Sequence, residues 1–466
     1  MLCNRHRGQC HCCLCLTDKK ERGSPAPLQR ENKLNFKRES IINISAPFYP
    51  SLHGWFGTTK LTRVGEPALL WNQFYLKPLL GDFERNRDVT RIVPPNVILI
   101  TDTVTSFAHN PAPSGDGHFV RQTRIIVTRY GGPDALQVIE EECPQPQPGE
   151  VRVKVLAAGV SLPDVLAREG VHPETPRVPY TPGWDLIGTV DQIGEGVSGF
   201  EPGQTVAAMP ISGCYAQYVC LPERKFIPVP PGLDAAEAVA VVLNYITAYQ
   251  MLDRSGKVKA GQRVLIHGAS GGVGTAFLQL ARLAGAEMFG TCSAQAAEVV
   301  KDLGATPIDY RNSDFVQEIH RLTGDGVDAV FDGIGGDNLW RSREALREGG
   351  RVVVYGFQAK LHGGRMASGA PSGRHPIRES AILGWYILRN WFLPGRKSMV
   401  PYSIQWLMRL KPAWFRHDLL TLFDLLQQKK IKPLIAQRLP LCQARQAHEL
   451  LGSGGVIGKV VLIPNG

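Results

Sequence analysis

The sequence lacks a long hydrophobic run. Its 466 residues are 43% hydrophobic and 20% charged, which is the balance of a globular protein. No uninterrupted apolar stretch reaches the roughly 18 residues that a membrane-spanning helix needs. The beginning of the chain also lacks the basic, apolar and small-residue pattern of a secretory signal. These absences predict a cytoplasmic location, and the length predicts two or three domains.

The cysteines lack the spacing of a disulfide framework or of a zinc lobe. Five of the 10 crowd the first 15 residues, and the other five are scattered. The opening cluster has two interpretations, a soft-metal site or a leader without defined structure, and the second is favoured because such dense ligands leave no chain to close around a metal. Residues 1–120 show no sustained periodicity and are interpreted as an N-terminal extension.

Strand and helix patterns begin at about residue 121. Residues 151–155 alternate apolar and charged side chains, which is typical of a half-buried strand, and residues 121–240 are predicted to form a β-rich domain. Within residues 241–395 the pattern changes to alternating strands and helices, beginning with Arg263–His267 and Gly272–Leu283. This alternation predicts an α/β fold with a doubly wound parallel sheet.

A glycine-rich turn joins that first strand to its helix. It reads Gly268-Ala269-Ser270-Gly271-Gly272-Val273-Gly274. Gly271 would let the backbone approach a pyrophosphate, and Gly274 would let the helix lie close to the sheet. The helix N-terminus attracts negative charge. The turn departs from GxGxxG at Ala269, with Gly268 just before it, yet its context predicts dinucleotide binding.

The second predicted strand ends without a carboxylate. NAD-binding domains usually place Asp or Glu there to hold the ribose 2′-hydroxyl, whereas this chain has Gly290-Thr291-Cys292-Ser293. An acidic side chain would repel a 2′-phosphate, while a hydroxyl can donate to it. The sequence therefore favours NADPH, the alternative being that these are merely small polar loop residues.

Five motifs together resemble a known family. They are Gly159-Val160-Ser161-Leu162-Pro163-Asp164, Tyr180-Thr181-Pro182-Gly183-Trp184-Asp185-Leu186-Ile187-Gly188, Ala269-Ser270-Gly271-Gly272-Val273-Gly274, Asp332-Gly333-Ile334-Gly335-Gly336 and Gly458-Lys459-Val460-Val461. In this order they resemble the medium-chain dehydrogenase/reductase superfamily, specifically its zinc-free, zeta-crystallin-like quinone oxidoreductase branch. The resemblance covers residues 121–466.

The resemblance implies a domain plan. Residues 121–240 would form a GroES-like β-rich catalytic domain, and residues 396–466 would return to it. Residues 241–395 would form a Rossmann domain that binds NADPH, with the cofactor in the cleft between the two domains.

The resemblance also implies a set of cofactor contacts. Ser270, Gly271, Gly272 and Val273 would hold the pyrophosphate, with Gly274 completing the turn. Ser293 would hold the 2′-phosphate, and Tyr310 would flank the adenosine. The lysine that relatives place shortly after the Ser293 position is missing, and Arg311 is the candidate to compensate for it.

Zinc-dependent relatives carry Cys-His in the first motif and Gly-His-Glu in the second. Here these positions read Ser161-Leu162 and Gly183-Trp184-Asp185, and neither Ser nor Trp is a zinc ligand. No metal is therefore expected. A site without a Lewis acid suits NADPH-dependent reduction of quinones or α,β-unsaturated carbonyl compounds, which spread charge by conjugation. The alternatives are an enoyl-thioester reductase and a non-enzymatic, crystallin-like protein that binds NADPH or RNA.

The proton donor is open. Some relatives use a tyrosine shortly after the Asp164 position, where this chain has Leu166. Tyr245 is a candidate catalytic residue, although an aromatic residue at helical spacing is more often a packing residue. Asp164 is the second candidate, and it would orient the substrate loop or cap the short helix that follows. Water is the third possible donor.

Residues 360–416 form a basic aromatic segment. They contain ten basic residues against Glu379 alone, and four of the eight tryptophans. One hypothesis is a lid over the substrate cleft that also rests on an anionic membrane. The slightly favoured alternative is an apolar hairpin buried in a homodimer contact. The segment contains no recognisable RNA-binding module, so no nucleic-acid partner is expected.

Overall fold

The structure is a computed structural model. It describes residues 120–172, 174–356, 384–385, 388–389 and 396–465, all of which belong to one compact unit. The predicted N-terminal extension lies outside the described residues except for its last residue. Residues 360–383, 386–387 and 390–395 of the basic aromatic segment also lie outside them.

The catalytic domain is built from antiparallel strands. These are β1 (Arg121–Val127), β2 (Leu136–Glu142), β3 (Glu150–Val160), β4 (Leu186–Ile193), β5 (Thr205–Ala208), β6 (Tyr218–Pro222) and β7 (Ile227–Pro228). Strands β1 and β2 form a hairpin, and the others join a seven-stranded sheet. In β3, Val151, Val153 and Val155 are fully buried while Lys154 is exposed, which confirms the predicted half-buried strand. A short helix, α1 (Leu162–Arg168), follows β3.

One long helix links the two domains. In the described part of the chain, only α2 (Ala235–Ser255) is long and apolar enough to cross a membrane by length and composition. However, 83% of its apolar window is buried within the protein. It contains two π-helical turns, Val241–Tyr245 and Met251–Ser255. The helix contributes to a hydrophobic core that contains residues of both domains, such as Trp184 and Phe331.

The cofactor domain is a six-stranded parallel sheet flanked by helices. Its strands are β8 (Arg263–His267), β9 (Glu287–Cys292), β10 (Thr306–Asp309), β11 (Val327–Asp332), β12 (Leu346–Val354) and β13 (Ser398–Pro401). The helices between them are α3 (Gly272–Leu283), α4 (Ala297–Asp302), α5 (Phe315–Thr323) and α6 (Asn338–Glu344). The spatial order is β10-β9-β8-β11-β12-β13, which confirms the predicted doubly wound sheet. The strand order reverses between β8 and β11, where such sheets bind ligands.

The chain returns to the catalytic sheet later than predicted. The boundary was expected at residue 396, but β13 pairs with β12 in the cofactor sheet. Two helices follow, α7 (Ile404–Leu410) and α8 (Pro412–Gln427). The chain rejoins the catalytic sheet through β14 (Ile435–Pro440), helix α9 (Ala444–Ser453) and β15 (Lys459–Ile463). The four residues of β13 are too few to show a strand period, so the sequence did not reveal it.

Candidate active site

The glycine-rich turn leaves space for a ligand beside Gly271. Gly268 has φ of 68°, a left-handed conformation that glycine adopts without strain. A Cβ on Gly274 would lie closer than 3.0 Å to the carbonyl oxygen of Gly268, so only glycine lets α3 pack this close to the strand end. A Cβ on Gly271 would meet only that same oxygen, at 3.4 Å. The first amides of α3 have no acceptor within the helix, so the turn fits a pyrophosphate.

A buried polar network fixes the strand ends beneath this turn. The Ser342 hydroxyl donates to Asp332 at 2.6 Å, and His267 Nε2 lies 3.0 Å from the same hydroxyl. His267 Nδ1 lies 3.0 Å from the Thr291 hydroxyl, which accepts from the Gly268 amide at 3.2 Å. Burial lowers the pKa of His267, so the ring is neutral. The hydroxyl of Thr291 is therefore engaged in holding the turn, and Ser293 is the hydroxyl left for a 2′-phosphate.

The three residues expected at the adenosine end lie together. Ser293 follows β9, is half-buried, and makes no capping hydrogen bond through its side chain. The backbone amide of Tyr310 donates to the carbonyl oxygen of Cys292 at 3.3 Å, which places Tyr310 next to Ser293. The Tyr310 ring is 53% exposed, and the Arg311 guanidinium lies 5.7 Å from its centroid. Hydroxyl, aromatic face and cation are the groups that a 2′-phosphoadenosine requires.

Ser293→Asp tests this assignment. A carboxylate beside the 2′-phosphate repels it, and at an effective dielectric constant of about 20 one unit charge at about 4 Å is worth several kcal/mol. We expect the Kd for NADPH to rise by about a hundredfold, while the Kd for NADH changes by less than about fivefold. Calorimetry with both cofactors measures the two effects. Equal weakening of both would place the 2′-phosphate elsewhere.

The last strand connects the catalytic domain to the phosphate-binding turn. The Gly458 amide donates to the carbonyl oxygen of Ser270 at 2.9 Å. The next residue, Lys459, is buried, and its Nζ lies 3.3 Å from Asp185 Oδ2 and 3.5 Å from Asn244 Oδ1. A buried ion pair of the catalytic domain therefore lies beside the phosphate-binding turn.

Asn244 completes this contact on the side of α3. A Cβ on Gly272 would lie closer than 3.0 Å to Asn244 Nδ2, so the amide of Asn244 packs directly against the first residue of the helix. Sequence reasoning assigned no role to Asn244, Asp185 or Lys459. Lys459 and Asp185 belong to two of the motifs that carry the family resemblance. The one feature of the sequence that could have indicated the pair is a lysine at the start of an otherwise apolar strand.

Asp164 has its carboxylate oxygens occupied by the protein. It accepts hydrogen bonds from the Ser161 amide at 2.9 Å, the Ser161 hydroxyl at 2.5 Å and the Gly183 amide at 2.9 Å. It therefore closes a capping box on α1 and joins the first motif to the second. Burial raises the pKa of Asp164 to about 7. This position supports the expected capping role, with the carboxylate orienting Gly183 rather than facing a substrate.

The raised pKa of Asp164 predicts a pH effect on stability. Because the folded protein holds this proton more tightly than the unfolded chain, the stability contribution is full below about pH 4 and is lost as the pH rises through about 7. Asp164→Asn removes this titration, while every histidine of the parent is kept in the variant. We expect the difference in Tm, variant minus parent, to increase between about pH 5 and pH 8. Thermal melts across that range measure the difference, and a constant gap would contradict the assignment.

Tyr245 lies in the hydrophobic core. It is 1% exposed on α2, and burial raises its pKa. This placement supports the packing interpretation of Tyr245 over the catalytic one. Leu166, at the position where some relatives carry a tyrosine, is half-buried on α1 and has no proton to donate.

The residues at the zinc-ligand positions do not fit a zinc ion. The Ser161 hydroxyl donates to Asp164, and Trp184, 5% exposed, offers an apolar ring. Within the described residues, no group of three or more His, Cys, Asp or Glu side chains could hold a metal. The two positions that carry zinc ligands in zinc-dependent relatives therefore offer none here.

A dinucleotide turn at the reversal point of a parallel sheet, closed by a second β-rich domain, defines an NADPH-dependent oxidoreductase. Family models match on both domains: the alcohol dehydrogenase GroES-like domain over residues 147–231, and a domain described as zinc-binding dehydrogenase over residues 303–462. The chain belongs to the medium-chain dehydrogenase/reductase superfamily, in its zinc-free, quinone oxidoreductase-like branch.

Individual relatives agree with this membership. Mouse synaptic vesicle membrane protein VAT-1 homolog-like is 31% identical over 76% of this chain and 85% of its own length. Rat quinone oxidoreductase is 30% identical over 73% of this chain and 97% of its own.

Solved structures give the same result. Escherichia coli quinone oxidoreductase complexed with NADPH superimposes with a TM-score of 0.63 at 30% identity, over 73% of this chain and 100% of that one. The CurK enoyl reductase matches with a TM-score of 0.61 at 26% identity, over 73% and 99%. The predicted fold class, the oxidoreductase activity and NADPH as cofactor are thereby confirmed.

Proposed function

We propose that the protein reduces α,β-unsaturated carbonyl compounds or quinones with the hydride of NADPH and without a metal. The observation that carries this proposal is the pair of residues at the zinc-ligand positions. Ser161 and Trp184 cannot polarise a carbonyl as zinc does, so the substrate must itself delocalise the charge that hydride addition creates. Conjugated carbonyls and quinones are the acceptors that do so.

The residues around Trp184 suit a flat, apolar acceptor. The His172 ring packs edge-on to the Trp184 ring, with centroids 5.3 Å apart and planes at 82°. The backbone amide of Ile211 donates to the Trp184 carbonyl oxygen at 3.3 Å. Ile211 has φ of 81°, a strained conformation for a β-branched residue, and such strain is concentrated at functional sites. When bound, the cofactor supplies the hydride; the protein positions the acceptor and excludes water.

Oxidation of NADPH, followed by its absorbance, tests the proposal with three acceptors: a benzoquinone, a simple enone and a crotonyl thioester. We expect turnover of the quinone or the enone, and no zinc requirement after treatment with a chelator. Turnover of a saturated aldehyde at a higher kcat/KM than either conjugated acceptor would contradict the proposal.

An enoyl-thioester reductase is the second candidate. It is favoured by the structural match to the CurK enoyl reductase and by the approach of α7 to the substrate loop. Arg409 on α7 pairs with Glu174, both N–O distances being 3.3 Å, which brings α7 next to the loop after α1. The exposed Arg409 and Lys411 would attract the phosphate of an acyl carrier. A crotonyl thioester with a kcat/KM well above that of the simple enone would select this activity.

The remaining expectations concern partners and location, and they stay predictions. A homodimer contact and a membrane contact would both be formed by the basic aromatic segment. Its described residues include three exposed tryptophans, Trp385, Trp406 and Trp414. Co-sedimentation with anionic vesicles and the molecular mass in solution separate the two. The cytoplasmic location and the absence of a nucleic-acid partner likewise stay predictions.

A further inference from the structure

The catalytic domain contains a histidine for which sequence reasoning found no role. His172 lies in the loop after α1, and its backbone amide donates to the carbonyl oxygen of Leu166 at 3.3 Å. It therefore stands beside the position where some relatives carry a tyrosine and this chain has leucine. His172 therefore supplies a polar hydrogen donor next to the position where the tyrosine hydroxyl of those relatives is missing.

The ring of His172 belongs to a series of contacts that leads to the phosphate-binding turn. Its ring contacts Trp184, whose neighbour Asp185 pairs with Lys459. Lys459 in turn follows Gly458, which is hydrogen-bonded to Ser270 of the phosphate-binding turn. Consecutive contacts therefore connect this ring to the turn that would hold the diphosphate.

The hydrogen bonds of His172 determine which ring nitrogen carries the proton. Nδ1 accepts from the backbone amide of Glu174 at 3.2 Å, and an amide can only donate. Burial lowers the pKa of His172 to about 4, so the ring is neutral near pH 7 and its one proton is on Nε2. Within the described chain, Nε2 makes no hydrogen bond, and the side chain is only half-buried.

We propose that Nε2–H of His172 donates a hydrogen bond to the carbonyl oxygen of the substrate and stabilises the negative charge that develops there. This inference rests on the proposed function. Hydride, carrying two electrons, forms the new C–H bond at the electrophilic carbon, and the π electrons move onto the carbonyl oxygen. His172 keeps its proton, and water protonates the resulting enolate or quinol anion. The reduced nicotinamide is oxidised as the substrate is reduced.

A neutral imidazole suits this role. A hydrogen donor aimed at a developing oxyanion is worth about two to three powers of ten in kcat when the surroundings exclude water. A neutral ring also carries no full positive charge toward either the uncharged substrate or the product anion. The only cause of the lowered pKa is burial, so no neighbouring charge competes for the ring.

Two substitutions separate hydrogen bonding from packing. His172→Phe keeps an aromatic ring against Trp184 but has no donor, while His172→Gln restores an N–H of similar reach. We expect His172→Phe to lower kcat about a hundredfold with the enone or quinone and to leave the Kd for NADPH unchanged. His172→Gln should recover at least about tenfold of that loss. His417→Phe is the matched control, because it makes the same substitution at an exposed histidine of α8; its kcat should match that of the parent.

A binding measurement makes the inference independent of turnover. The proteins are saturated with NADP⁺ and titrated with para-nitrophenolate, whose oxygen resembles that of the product anion. We expect the His172→Phe variant to bind it about tenfold more weakly than the parent. Equal binding, or a His172→Gln variant as slow as His172→Phe, would overturn the role of His172. Absence of turnover in the parent, with tight para-nitrophenolate binding that depends on His172, would overturn only the proposed function.

Discussion

A chain carrying Gly274→Ala is expected to lose at least about a hundredfold in NADPH affinity and to melt at a lower temperature. The added Cβ would lie closer than 3.0 Å to backbone atoms of Gly268 and Ala269, none of which can rotate away. Either α3 must move out from the sheet or the turn must open, and both changes displace the amides that face the pyrophosphate. Alanine is otherwise the better helix former, so the loss cannot come from helix propensity.

Gly452→Ala is the matched control for this substitution. Gly452 is also a helical glycine, in α9, and a Cβ there meets nothing within 4 Å. We expect its NADPH affinity to be unchanged and its Tm equal or slightly higher. Calorimetry and thermal melts on both variants provide the comparison. A Gly274→Ala chain that behaves like the control would show that the turn does not need this close approach.

Lys459→Met is expected to destabilise the protein by about 3 kcal/mol or more. The Lys459 and Asp185 side chains are 3% and 0% exposed, and removing one member of a buried pair leaves the other charge without compensation. Burial already raises the pKa of Asp185, and the ammonium of Lys459 opposes that shift. In the variant Asp185 must take up a proton to stay buried, so the loss of stability should grow with pH.

The double variant Lys459→Met with Asp185→Asn tests whether the pair is the cause. Removing the second charge should restore most of the free energy of unfolding that the single substitution loses. Denaturant unfolding of the parent, both single variants and the double variant gives the coupling energy. A coupling energy near zero would mean that the two side chains stabilise the fold independently.

Segments with a strong local pattern were predicted with the correct bounds. Arg263–His267 and Gly272–Leu283 each combine a buried run with a glycine at one end. Hydrophobic periodicity and turn chemistry act over a few residues, so both can be read from the chain itself. The cofactor turn belongs to this class, which is why its residues could be proposed from the sequence.

Contacts between distant segments could not be predicted. Lys459 and Asp185 pair across 274 positions, and nothing in either local sequence marks the other as its partner. His172 was missed for a similar reason, because its role depends on a tautomer set by the Glu174 amide and on a ring contact with Trp184. Asp164 could be proposed as a cap, but its bond to Gly183 required the fold.

The central claim is that the diphosphate of NADPH rests on the turn where Gly271 leads into α3. Gly271→Ala tests it most directly, because the new Cβ has ordinary contact with the protein, 3.4 Å from one carbonyl oxygen, and otherwise enters the space assigned to the phosphates. The thermal melt of this variant should match that of the parent. Calorimetric titration should show an NADPH affinity at least about tenfold lower than that of the parent. An alanine variant that binds NADPH as tightly as the parent would contradict the account.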